Sequence, residues 1–190
     1  MAHDAGTRQP SGLIDRLNGP WHRPALFAFL VVVVAHWAEH VTQAIQIYGL
    51  HRPIPASRGV LGQWFPWLMK EEWLHYGYAL VMLAGLWMLR NGFTGASRTW
   101  WRVALGIQIW HHFEHLLLLV QRQTGVFLFG KSVPTSILQL VIPRVELHLL
   151  YNAAVFLPMV VAMYLHRTDT AGVALCNCAV RPVAAASATA

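Results

Sequence analysis

Charge is scarce in this chain. Asp, Glu, Lys and Arg together make up 12% of its 190 residues, about half the share in a soluble domain. That is too little to clothe a soluble globular fold in water. The 14 basic residues outnumber the 8 acidic ones, for a formal charge of +6. The basic residues lie between apolar stretches and form no single patch, which argues against nucleic acid as a partner. Cysteine is nearly absent: Cys176 and Cys178 stand in a late Cys-Asn-Cys. Two residues so close seldom form a structural disulfide, so no oxidising compartment is implied. The first residues include Asp4, Arg8, Asp15, Arg16 and Arg23 and lack the apolar core of a signal peptide. The first membrane helix is then its own insertion signal.

What the chain has instead is apolar length. Hydrophobic residues make up 56% of it, and four stretches reach the roughly 20 residues needed to cross a bilayer. They run about 24–50, 70–90, 99–122 and 143–166. Pro24 suits a first helical turn, and Asn91-Gly92 and Gly125 suit helix ends. Six of the nine Trp, Trp21, Trp64, Trp67, Trp73, Trp100 and Trp101, sit near the ends of apolar runs, as an interfacial belt requires. The expected fold is an all-α membrane protein, a four-transmembrane-helix bundle. Residues 1–23 read as a polar N-terminal segment and 167–190 as a disordered, Ala-rich tail. Two apolar pieces in the linkers, 62–68 and 136–140, are too short to span and suit interfacial helices or loops on the headgroups. The face with both termini holds eight of the basic residues and the other face six. That bias favours cytoplasmic termini in a bacterial-type inner or plasma membrane.

Ionisable residues inside membrane helices are costly, and so are functional candidates. Each expected span carries them. The first reads His36-Trp37-Ala38-Glu39-His40 and the third His111-His112-Phe113-Glu114-His115. Both are H-x-x-E-H. The second reads Leu74-His75-Tyr76-Gly77-Tyr78 and the fourth Leu147-His148-Leu149-Leu150-Tyr151, both L-H-x-x-Y. The same pair of motifs in the same order implies an internal duplication of a two-helix hairpin. Both hairpins run in the same direction, so their pseudo-two-fold axis should lie along the membrane normal.

Helical geometry sorts the side chains. At about 100° per residue, His36, Glu39, His40 and Gln43 share one arc, as do His111, Glu114 and His115. His75 lies one turn from Tyr78, and His148 one turn from Tyr151. All four helices can therefore meet at one depth, in the half away from the termini. The expected ligand set is His36, Glu39, His40, His75, His111, Glu114, His115 and His148, which suits two metal ions, or one metal with the remaining residues orienting its ligands. Imidazole and carboxylate suit iron, copper or zinc, with iron favoured. Gln43, Tyr78, Gln108, His112 and Tyr151 are the expected residues around the ligands. Glu39 and Glu114 are the candidate catalytic carboxylates, as general bases on bound water. Glu71 and Arg144 occupy equivalent positions, four residues before His75 and His148, and can pair across the mouth or stay solvated. Glu146 reads as interfacial, and His22 and His166 as end residues.

Through His36-x-x-x-His40 and His111-His112-x-x-His115, the pattern loosely resembles the histidine boxes of membrane fatty-acid desaturases and hydroxylases. The likeness covers those boxes alone. The paired His comes first in the second box instead of last, and both boxes lie within the spans. The resemblance implies a metal centre working with oxygen on a lipophilic or small apolar substrate. No flavin, nicotinamide or iron–sulfur motif is visible, so electrons would come from a separate donor protein or other membrane subunits. Two alternatives stay open. One is a haem-b electron carrier; the other is a zinc-dependent intramembrane hydrolase.

Overall fold

A computed structural model describes residues 12–67 and 72–168. These are helical, with no strand among them. A short helix α1, Leu13–Leu17, precedes α2, His22–Ala44, which runs on into a wider turn at Ile45–Gly49. A linker with a small helix α3, Leu61–Trp64, leads to α4, Glu72–Leu89. A tight turn at Arg90–Gly92 joins α4 to α5, Gly95–Thr124. A second linker, with one turn at Leu138–Leu140, leads to α6, Arg144–Thr168.

Local chemistry explains the ends. Thr94 and Ser97 form a reciprocal capping box at the start of α5. Gly125, at φ 68°, closes it in the left-handed conformation that glycine adopts without penalty. α6 starts just after Pro143 and continues through Pro158. Neighbouring helices make such an interior proline tolerable in a membrane span.

α2 with its extension, α5 and α6 are long and apolar enough to cross a membrane. Their outward faces agree. Phe27, Val31 and Val34 on α2, Phe113 and Val120 on α5, and Leu157 and Val160 on α6 are all exposed. A helix apolar on its outer face as well as its inner one needs lipid around it. The protein is thus an all-helical membrane protein. α4, at 18 residues, is the shortest of the four long helices.

The apolar core fills the half nearer the termini. It joins Leu26, Phe29 and Val33 of α2 with Met82 and Leu86 of α4, Trp101 and Ala104 of α5, and Val155, Met159 and Ala162 of α6. Trp101 is fully buried, stacks on Phe93 at 4.1 Å, and donates its indole N–H to the Leu86 carbonyl at 2.8 Å. At Gly85 an added Cβ would lie 2.3 Å from the Phe29 ring, so glycine permits the close approach of α2 and α4.

The N-terminal segment departs from a simple polar lead. Asn18 donates to the carbonyls of Ile14 and Met88, both at 2.7 Å, and accepts from the Gly92 amide at 2.7 Å. One amide side chain thus ties α1 to the α4–α5 turn. His22 and His166, read above as end residues, are both buried, with ring centroids 5.2 Å apart. The expected tail beyond residue 168, with Cys176 and Cys178, lies outside the described residues, as do residues 1–11, Lys70 and Glu71.

Candidate metal centre

The four long helices carry their motif histidines to one place. His36 and His40 are one turn apart on α2, with Nε2 atoms 3.0 Å apart. His111 and His115 repeat this on α5, at 3.2 Å. His148 of α6 lies between the two pairs, its ring centroid 5.2 Å from His40, 5.4 Å from His115 and 6.0 Å from His111. His75 of α4 stacks near His115 at 6.3 Å and meets His148 at 6.2 Å. Six imidazoles from four helices form one connected cluster. His40, His115 and His148 are buried.

His148 has a fixed tautomer. Its Nδ1 lies 2.7 Å from the Arg144 carbonyl oxygen. A carbonyl only accepts, so Nδ1 carries the proton and Nε2 presents a bare lone pair. That Nε2 is buried and has no hydrogen-bond partner. The same backbone anchor orients ligand imidazoles in metal sites.

The two glutamates face elsewhere. Glu39 Oε1 accepts the backbone N–H groups of Leu61, at 2.7 Å, and Gly62, at 3.4 Å. Glu114 Oε1 accepts that of Leu138 at 2.8 Å, and its Oε2 accepts the Tyr151 hydroxyl at 2.6 Å. Each carboxylate therefore braces the linker that follows its own helix.

Two glutamines that the sequence reading passed over do the same. Gln46 donates to the Gly59 carbonyl at 3.2 Å and accepts the Gly59 amide at 3.0 Å. Gln121 donates to the Thr135 carbonyl at 2.9 Å and accepts the Thr135 amide at 3.3 Å. The signal was present: both motifs extend to H-x-x-E-H-x-x-x-x-x-Q, ending at Gln46 and Gln121. The match between the two motifs thus extends to hydrogen bonds in irregular chain.

The residues expected around the ligands have varied places. Tyr78 stacks on His36, with centroids 3.4 Å apart and planes 12° apart. Tyr151 lies 4.1 Å from His111. Gln43 donates to the Ser57 carbonyl at 2.9 Å, and buried Gln108 to the Ala79 carbonyl at 3.1 Å. His112 packs against Tyr76 of α4 at 5.1 Å. Arg144 pairs with Glu72 at 2.8 Å; Glu71, the expected partner, lies outside the described residues. Glu146 accepts the Tyr48 hydroxyl at the cluster-side ends of α6 and α2.

Two small cavities flank the cluster. One lies on the core side, lined by Trp37, Tyr78, Gln108, His111, Tyr151 and Asn152 among apolar neighbours. The Trp37 indole N–H is buried without a partner. The other lies under the second linker, against His115 and His148. Each has about 10 Å³ open to the centre of a water molecule, enough for about one water.

Among the described residues, no group of three or more His, Cys, Asp or Glu stands ready to hold an ion in this arrangement. The reason is visible in the contacts. Within each helix the two Nε2 atoms face each other at hydrogen-bond distance, and the carboxylates are turned to the linkers. Comparison with family models, curated proteins and solved structures finds no match.

Proposed function

We propose that this chain is a four-helix transmembrane metalloprotein, with α4 as the fourth span, whose histidines bind two transition-metal ions. Iron is favoured, and copper or zinc also suits the donors. In this reading it is an oxidoreductase that works with oxygen on a lipophilic or small apolar substrate. Electrons come from a separate membrane or soluble protein. Both termini face the cytoplasm across a bacterial-type inner or plasma membrane, following the basic-residue bias.

The observation that carries the reading is the His148 ring. Its Nδ1–H is held by a backbone carbonyl, and its Nε2 lone pair is buried with no partner among five other imidazoles. An unpaired buried acceptor is costly, and a cation would relieve that cost. The donor set fits on a second ground. Ligands at right angles on one ion, with metal–nitrogen bonds of about 2.1 Å, lie about 3.0 Å apart. The Nε2 pairs of His36 with His40 and His111 with His115 have that spacing, at 3.0 and 3.2 Å. The six histidines are the proposed ligands. Glu39 and Glu114, whose oxygens serve the linkers, are left out of that set and out of the catalytic role.

When bound, such ions supply the redox or Lewis-acid chemistry. The chain does the rest. Arg144 O orients His148. Glu39 and Glu114 hold the linkers across the cluster side of the helices. Tyr151 donates a hydrogen bond to Glu114 beside His111. The apolar outer faces keep water away and leave lateral access from lipid. A porphyrin would fit neither cavity beside the cluster, which favours bare ions over haem.

Elemental analysis of purified wild type beside His40→Ala and His115→Ala tests this. About two ions per chain with no Soret band are expected, with at least tenfold loss of metal in each variant. Unchanged metal in both variants would falsify the site. A Soret band would replace the ions with haem, and a single zinc would move the reading to hydrolysis.

A further inference from the structure

The cavity under the second linker has a polar wall that the ligand set does not explain. Gln139 supplies part of it. Its Oε1 accepts the Ser136 amide at 3.0 Å, which fixes which end of the side chain faces the cavity. The opposite end, the Nε2 amide group, is buried with no partner. His148 lines the same cavity, and its Nε2 is also unpartnered. One group is a donor and the other, by its tautomer, an acceptor. Neither has a hydrogen-bond partner in the protein, and both residues line a space the size of one water. His115 Nδ1 is a third buried nitrogen there without a partner.

The first hairpin has no such wall. Glu39 braces Leu61 as Glu114 braces Leu138. The residue that follows the braced amide is Gly62 in the first linker and Gln139 in the second. Glycine has no side chain with which to donate. Gln63, next along, is exposed. Among the described residues, the repeated pattern therefore places such a donor beside the cluster in the second linker and not in the first.

We propose that this cavity binds one water-sized oxygen ligand, held between the Gln139 amide and the His148 ring, and that Gln139 is its positioning residue. In the metal-free protein the ligand is water. It accepts a hydrogen bond from Gln139 Nε2 and donates one to His148 Nε2. Three or so partners are typical for a buried water, and His115 Nδ1 supplies the third. The inference deepens the proposed function by placing an oxygen ligand beside the second hairpin: an ion on the histidines would take the His148 Nε2 lone pair, and the Gln139 amide would then be what holds the oxygen next to it. It rests on that reading only for the oxygen's use, since its binding needs no metal.

The test uses the metal-free, full-length protein in lipid nanodiscs, with water itself as the probe. Water-edited nitrogen NMR should show magnetisation passing from water to the Gln139 side-chain amide and to the His148 ring. Gln139→Glu keeps the acceptor for the Ser136 amide and removes the donor. It should cut the His148 transfer at least fivefold while helix content is unchanged. Gln63→Glu, the neighbour in the first linker, should change nothing. No transfer to Gln139 in the wild type would overturn the proposal, as would equal transfer in Gln139→Glu. If that variant misfolds, the wild-type spectrum decides alone. A protein that shows the transfer but never takes up metal keeps this site and loses the metal reading. A protein that takes up metal without the transfer does the reverse.

Discussion

The two hairpins share a scaffold and differ in what they do with it. In both, a glutamate and a glutamine on the outgoing helix hold the following linker by its backbone: Glu39 with Gln46, and Glu114 with Gln121. In both, two histidines one turn apart bring their Nε2 atoms together. The returning helices then diverge. Tyr78 lies flat on His36, whereas Tyr151 turns its hydroxyl to Glu114. The first linker is packed against its brace, with Gly59 on top of the Glu39 carboxylate. The second leaves a cavity beside Gln139 and His148. The two hairpins match in the interactions that hold the linkers and differ in those that face the histidines. The first hairpin thus has the tighter linker, and the second has a cavity under its linker with unpaired polar atoms on Gln139 and His148 beside it.

The sharpest break in that comparison is at Gly59. Its φ of +69° suits glycine, and an added Cβ would lie 2.3 Å from Glu39 Oε1. Gly59→Ala combines backbone strain with displacement of a brace, at a cost of about 2–4 kcal/mol. Thr135, in the equivalent place beside Gln121, already carries a side chain. Thr135→Ala should cost less than about 1 kcal/mol. Thermal unfolding of the two variants in the same detergent would measure both. Equal losses would mean that the first linker is no more tightly clamped than the second.

The glutamines come next. Gln46→Ala and Gln121→Ala each leave a linker amide and carbonyl without their side-chain partners. Buried groups so orphaned cost about 1–3 kcal/mol. Gln121→Ala should cost somewhat more, because Gln121 also accepts the Leu128 amide at 3.1 Å. Hydrogen exchange should rise at the Gly59 amide in one and at the Thr135 amide in the other. A large effect in one hairpin only would show that the shared pattern is not shared energetics.

How much of this could be read beforehand follows from what a helix transmits to its sequence. The histidine cluster was legible because spacing of three and four on a helix fixes a face, and two motifs in register fix a shared depth. Spacing alone does not say where a flexible side chain ends. Glu39 and Glu114 share the histidine arc, yet their carboxylates reach past it to amides 22 and 24 residues along the chain. Those amides lie in irregular linkers, whose paths have no period. Gln46 and Gln121 were visible as letters, but without the linkers there was nothing for them to hold. The Arg144–Glu72 pair joins residues 72 apart in sequence, a closeness that no local pattern encodes. Asn18 and the buried His22–His166 pair were hidden for a similar reason. They depend on α1 folding back onto a turn far away in sequence.

The smallest effect separates the two tyrosines, and it bears on the site most directly. Tyr151 donates to a buried carboxylate at 2.6 Å, and a hydrogen bond to a charged group contributes about 1.5–3 kcal/mol. Glu114 keeps its bond to the Leu138 amide when that donor is removed, which should hold the loss near the low end. Tyr78 acts through its ring, which stacks on His36. Phenylalanine preserves that stacking. Tyr151→Phe should therefore destabilise the protein by about 1–2 kcal/mol and loosen the second linker at Leu138. Tyr78→Phe should lie within about 0.5 kcal/mol of wild type. Chemical unfolding gives the energies, and hydrogen exchange at Leu138 against Leu61 gives the location. If Tyr78→Phe cost as much as Tyr151→Phe, or if Leu61 loosened with it, both tyrosines would be bracing carboxylates. The returning helices would then be as alike as the outgoing ones, and the difference between the hairpins would shrink to Gln139 facing Gly62.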